Sequence, residues 1–115
     1  MNNSPIGVYD SGFGGLSVWR EIHRRLPEES LLYLGDGKNC PYGGRSREEI
    51  TAFAREAVER LISEGVKMVV VGCNTATTAA VDTLRAEWPD IPIVGLEPAV
   101  KPACLSSRTR RIAVL

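Results

Sequence analysis

The thiol of Cys73 stands between the apolar run Met68-Val69-Val70-Val71-Gly72 and the polar start Asn74-Thr75-Ala76-Thr77-Thr78. A short Val-rich run predicts a strand buried on both faces. The Ala-rich pattern beyond it predicts a helix, capped by Asn74 or Thr75. Cys73 is thereby placed on a strand-to-helix turn. A helix N-terminus favours negative charge, thiolate included. A free cysteine is more commonly an inert, buried small hydrophobe, so Cys73 gains meaning only from its neighbours.

Other polar groups follow apolar runs in the same way. Asp10-Ser11 follows Ile6-Gly7-Val8-Tyr9. Asp36 follows Leu31-Leu32-Tyr33-Leu34, and Pro41-Tyr42-Gly43 lies in the irregular stretch from Lys38 to Arg45. Glu97-Pro98 follows Ile93-Val94-Gly95-Leu96. Loops of that composition carry function more often than regular elements do. If the four runs are parallel strands, these groups converge on the carboxyl edge of one sheet, where ligands of open α/β sheets bind. Two chemistries suit a thiol, carboxylates, hydroxyls and backbone N–H groups. A thiolate can attack a carbonyl, as in a cysteine hydrolase. It can also abstract a proton beside a carboxylate, with Asp10 taking the thiol proton or orienting a substrate ammonium. The first needs a base. The single histidine, His23, falls mid-helix, where packing or exposure is the simpler account.

The elements that must position these groups are legible in the pattern. Leu16, Trp19, Ile22, His23 and Leu26 recur at helical spacing until Pro27. Ser46-Arg47-Glu48-Glu49 is a capping box. Ile50, Phe53, Ala54, Ala57, Val58, Leu61 and Ile62 then form one helical stripe, and Gly65 suits its end. Ala79, Ala80, Leu84 and Trp88 mark the inner side of the helix after Cys73, which ends before Pro89. A short helix over 99–105 and a fifth strand over 111–115 are expected. Strands alternating with helices predict an α/β fold, a parallel sheet with helices on both faces. The turn Gly12-Phe13-Gly14-Gly15 suits an anion or a close backbone approach. It is not the dinucleotide fingerprint, because Ser17 stands where the third glycine would be.

Composition narrows the classes further. The 115 residues carry 14 basic and 14 acidic side chains. That balance gives no nucleic-acid footprint. No stretch is apolar enough to span a membrane. Met1-Asn2-Asn3-Ser4-Pro5 lacks an export pattern. Cys40, Cys73 and Cys104 form neither a metal-type pair nor a disulfide framework, so a reducing cytoplasm is the expected compartment. No metal and no cofactor loop is expected.

Val8-Tyr9-Asp10-Ser11-Gly12-Phe13-Gly14-Gly15-Leu16-Ser17-Val18 resembles the opening motif of glutamate racemases, within the aspartate/glutamate racemase family. Pro41-Tyr42-Gly43 is similar to that family's substrate loop, and Gly72-Cys73-Asn74-Thr75-Ala76 to its first catalytic cysteine motif. Val94-Gly95-Leu96-Glu97-Pro98-Ala99 resembles its next strand and turn. The resemblance implies one of two similar domains of a racemase fold. It implies interconversion of L- and D-glutamate without pyridoxal phosphate or metal, supplying D-glutamate for peptidoglycan. It makes Cys73 the first base, with Asp10 assisting its deprotonation and touching substrate. Ser11, Tyr42, Gly43, Asn74 and Thr75 become binding positions, with Pro41 and Asp36 as further candidates. The family's second cysteine stands in a Gly-Cys-Thr-His motif that this chain lacks. Residues 1–115 are therefore expected to be an N-terminal catalytic domain, truncated near its end and inactive alone, whose partners are glutamate and a second domain. A homodimer is also admitted. Two alternatives stay open: another amino-acid racemase or thiol-dependent hydrolase on this fold, and a non-catalytic acid-binding module with an inert Cys73.

Overall fold

The computed structural model describes residues 3–12 and 16–96. The expectations for Phe13 to Gly15, Glu97, Cys104, the 99–105 helix and the 111–115 strand lie outside the described residues. Among the described residues four strands and three helices alternate: β1 (Ile6–Asp10), α1 (Leu16–Arg25), β2 (Leu31–Gly35), α2 (Arg47–Ser63), β3 (Met68–Val71), α3 (Asn74–Glu87) and β4 (Ile93–Gly95). The strands form one sheet in the order β2-β1-β3-β4, and every neighbouring pair is parallel. β1 pairs Ile6 with Leu31 on one side and with Met68 on the other, and β3 pairs Val69 with Ile93.

The order sets the faces. The chain steps from β1 outward to β2, then returns across β1 to β3 and continues to β4. Right-handed crossovers place helices on opposite faces when the direction of travel reverses. α1 accordingly lies on one face, where Val18, Trp19 and Ile22 pack on Ile6, Val8 and Val70. α2 and α3 cover the other, joining Ala54, Val58, Leu61, Ala76, Ala80 and Leu84 to Tyr9, Val69 and Val71. Burying sheet residues on both sides explains why β1 and β3 read as continuous apolar runs rather than alternating ones. The α1 stripe is narrower than its spacing implies. Leu16 and Leu26 are 45% and 49% exposed, and His23 is exposed and stacked on Trp19 at 5.4 Å.

The ends of α2 follow their signals. Ser46 Oγ accepts the Glu49 N–H at 3.1 Å, and a Glu49 carboxylate oxygen accepts the Ser46 N–H at 3.4 Å, closing the capping box. Those bonds, the backbone one first, hold the Glu49 carboxyl below its ordinary range. At the other end Gly65 takes φ 84°, a left-handed conformation that costs glycine nothing. Arg55 bridges to Glu87 at 2.6 Å and joins α2 to α3.

Candidate active site

The carboxyl ends of β1 and β3 meet where the strand order reverses, which is where an open sheet parts to leave a crevice. β1 carries the backbone through Asp10, a residue only 5% exposed, and Ser11 follows at once. On the adjacent strand Gly72 N–H donates to Tyr9 O at 2.7 Å, so Cys73 emerges beside Ser11. The Cys73 thiol donates to Ser11 Oγ at 3.3 Å. Two residues 62 apart in sequence thus share one hydrogen bond.

Cys73 is itself the N-cap of α3, which corrects the assignment of Asn74 or Thr75 to that role. Its backbone is extended at φ −105° and ψ 123°, and Sγ accepts the Ala76 N–H at 3.4 Å. Asn74 and Thr75 are already helical and exposed. The reason is geometric: the cap is the last non-helical residue, and β3 ends so abruptly that Cys73 occupies that position. Thr77 reinforces the turn, donating its N–H and its hydroxyl to Cys73 O at 2.9 and 2.8 Å. The sulfur therefore faces a helix N-terminus, where the field favours an anion, while only 8% of the residue is exposed.

β2 and the loop beyond it wall the crevice on the β1 side. Asp36 N–H donates to Asp10 O at 2.9 Å, extending the ladder past the strand end. Tyr33 Oη donates to Gly12 O at 2.6 Å. Gly35 permits that approach, since a Cβ there would stand 2.6 Å from Gly12 O. The peptide bond between Cys40 and Pro41 is cis. Next to it, Tyr42 is buried at 3% exposure, with its ring tilted against Phe53 at 5.6 Å.

The Tyr42 hydroxyl does not face outward. It donates to Asp36 Oδ2 at 2.5 Å and lies 2.6 Å from the Tyr9 hydroxyl. Asn39 Nδ2 donates to both Asp36 oxygens, at 3.0 and 3.1 Å. The chain Tyr9–Tyr42–Asp36–Asn39 is thus a closed set of side chains under the site. Burial raises the ionisation of both phenols well above the usual tyrosine range. The Tyr42 bond opposes this at Tyr9, whereas the Asp36 and Asp10 carboxylates reinforce it. At Tyr42 burial and the Asp36 bond act together.

The structure joins Cys73 to Ser11 by a hydrogen bond, with Asp10 preceding Ser11 at the end of β1, and ties Asp36 to the Asp10 backbone and Tyr42 to Asp36 and Tyr9. Gly43 and Pro41 are exposed beside Tyr42, and Asn74 and Thr75 line a groove of about 510 Å³ with Arg45, Arg47, Ile50, Thr78 and Ala79. Cys40 is an exposed free thiol; a Cβ on Gly12 would lie 3.4 Å from its sulfur. Sequence reading missed Tyr9, Tyr33 and Asn39. The available signal was a phenol placed in an otherwise apolar buried strand, since a buried tyrosine hydroxyl needs a partner. Among the described residues no group of three or more His, Cys, Asp or Glu side chains could hold a metal ion. Among them, too, no helix is long and apolar enough to cross a membrane.

Comparison with known proteins agrees with this geometry. Residues 6–115 match the family model described as Asp/Glu/Hydantoin racemase. A glutamate racemase from Stutzerimonas stutzeri is 52% identical over 112 residues, covering 97% of this chain and 42% of the relative. A crystal structure of a glutamate racemase isoform from Bacillus anthracis superposes with a TM-score of 0.82 at 45% identity, over 94% of this chain and 41% of that one. The Escherichia coli glutamate racemase, solved with L-glutamate and an activator, gives 0.82 at 36% identity, over 92% and 40%. The chain thus spans about two fifths of the length of these relatives. On its strand order, its thiol-bearing switch-point crevice and these likenesses, the chain belongs to the Asp/Glu/hydantoin racemase family.

Proposed function

We propose that this chain is the N-terminal catalytic domain of a glutamate racemase, and that Cys73 exchanges the Cα proton from one face of the substrate. The observation that carries the reading is the Cys73 sulfur at the N-terminus of α3, bonded to Ser11, the residue that follows the buried Asp10. The Cα proton of an amino acid is very weakly acidic. Removing it demands a base in contact and fixed donors for the charge that develops. Cys73 as thiolate supplies the base. The first turn of α3, with the Asn74 and Thr75 side chains exposed at its mouth, supplies the donors. Asp10 takes the thiol proton or holds the substrate ammonium, and Ser11 orients the sulfur. Tyr42 has committed its hydroxyl to Asp36, so its contribution to substrate is the backbone it shares with Pro41 and Gly43.

Racemisation needs a second base on the opposite face of Cα. In this reading that base is a thiol on a second domain, which closes over the crevice and excludes water. The reaction uses no cofactor, and its product, D-glutamate, serves peptidoglycan synthesis in the cytoplasm. Support comes from the family match and from the likeness to glutamate racemases, one of them solved with L-glutamate.

The test is chiral chromatography of L-glutamate incubated with the 115-residue chain, and with a protein of full family length that carries it. The longer protein is expected to form D-glutamate and the chain is not. Absence of D-glutamate from the longer protein would sink the assignment of activity. Formation by the chain at a comparable rate would sink the two-domain, two-base mechanism.

A further inference from the structure

Tyr9 is fully buried, at 0% exposure, on the strand that ends in Asp10. Its hydroxyl meets Tyr42 Oη at 2.6 Å. Proton direction follows from the neighbours. Tyr42 has one hydroxyl proton, and it goes to Asp36 Oδ2. The proton between the two phenols must then come from Tyr9, so Tyr9 donates and Tyr42 accepts. Asp36 is anchored in turn by Asn39 and, through its backbone N–H, by Asp10 O. The loop from Asp36 to Arg45 is therefore pinned to β1 at two places. One is the backbone bond at Asp10. The other is the side-chain bond made by Tyr9, one residue before Asp10.

We propose that Tyr9 is a positioning residue: its hydroxyl fixes the Pro41-Tyr42-Gly43 backbone relative to Asp10 and Cys73, and thereby sets how tightly the site binds its amino-acid substrate. The inference rests on the functional reading above, in which that backbone meets the substrate. Phenylalanine at position 9 keeps the ring and its packing but removes the donor. The lone pair on Tyr42 is then left unpaired in a buried place, and the loop gains an alternative in which Tyr42 turns toward water. An unpaired buried hydroxyl shifts such an opening equilibrium by roughly five- to a hundredfold. Tyr9 touches none of the proposed reacting atoms, so its loss weakens binding in ground and transition states alike.

The experiment is Tyr9→Phe with two readouts. In the 115-residue chain, hydrogen exchange is followed at Arg45, whose N–H donates to Tyr42 O at 2.9 Å, with Val69 and Leu84 as core references. Exchange at Arg45 should quicken at least about fivefold, while the references change less. In a protein of full family length, KM for glutamate should rise about as much, with kcat within about twofold. The inference is overturned if Arg45 exchange is unchanged, or quickens only in step with Val69 and Leu84. It is also overturned if exchange quickens at Arg45 but KM stays put, which would make Tyr9 a stability residue only. A full-length protein without racemase activity overturns the functional reading and the substrate half of this inference. The exchange readout still decides the loop-pinning half.

Discussion

Cys73 carries two separable duties, and a pair of substitutions separates them. As N-cap of α3 its sulfur accepts the Ala76 N–H at 3.4 Å. As proposed base it must hold and release a proton. Serine is among the best N-cap residues, whereas alanine at an N-cap costs about 0.5–2 kcal/mol. Alanine also removes a sulfur that is almost wholly buried and leaves the Ser11 hydroxyl without its thiol donor. Cys73→Ala should therefore destabilise the chain by about 1–3 kcal/mol, the lost cap plus the packing defect. For a domain of this size that is a fall in Tm of roughly 3–15 °C. Cys73→Ser should stay within about 1 kcal/mol of the parent, because the hydroxyl caps the helix and still reaches Ser11. Activity should not follow this order. A serine hydroxyl is a far weaker acid than a thiol, so both variants of the full-length protein should lose about a hundred- to ten-thousandfold in kcat. Thermal unfolding by circular dichroism reads the first duty, and D-glutamate formation reads the second. Serine turnover within a few-fold of the parent would refute the base assignment. A serine variant less stable than the alanine variant would refute the capping argument.

Further outcomes follow from the same contacts. Tyr9 and Tyr42 hold their protons above the ordinary phenol value of 10.0, so they contribute stability that is complete below about pH 10 and lost as pH rises past it. Absorbance at 295 nm, read alongside circular dichroism, should show these two phenols ionising only as the fold is lost, with the less buried Tyr33 ahead of them. Reversible titration of all three near pH 10 in the folded chain would contradict the buried relay. Gly35→Ala would drive a Cβ to 2.6 Å from Gly12 O, so the Asp10–Gly12 turn must move; loss of glutamate affinity in the full-length protein is expected, and unchanged affinity would count against the packing described. Ser46→Ala removes the hydroxyl half of the capping box and should cost about 1 kcal/mol in denaturant unfolding, with activity retained. Of the two described thiols, Cys40 should label before Cys73, because it is exposed and Cys73 is buried. Glutamate should slow the labelling of Cys73 and not that of Cys40, and no slowing at Cys73 would argue against substrate binding by this chain.

Much of this protein was legible in its residues because the controlling interactions are local. Apolar runs ended by Gly or Asp marked the strands, the spacing from Ile50 to Ile62 marked α2, and Ser46 with Glu49 and Gly65 marked its ends. Alternation of strands and helices implied a parallel sheet, and a parallel sheet sends every strand end to one edge. That is why Asp10, Ser11, Asp36 and Cys73 could be assigned to one site before any distance was known. The rest depended on long-range packing. Whether Asn74, Thr75 or Cys73 capped α3 turned on where β3 stopped, a matter of one residue that propensity does not resolve. Which way Tyr42 pointed was set by Asp36 together with Tyr9, 33 positions away, and no local pattern encodes the longer pairing. The strand order β2-β1-β3-β4 put β1 beside β3. That adjacency brings a thiol and a hydroxyl 62 residues apart into contact, because only the folded sheet closes the distance between them.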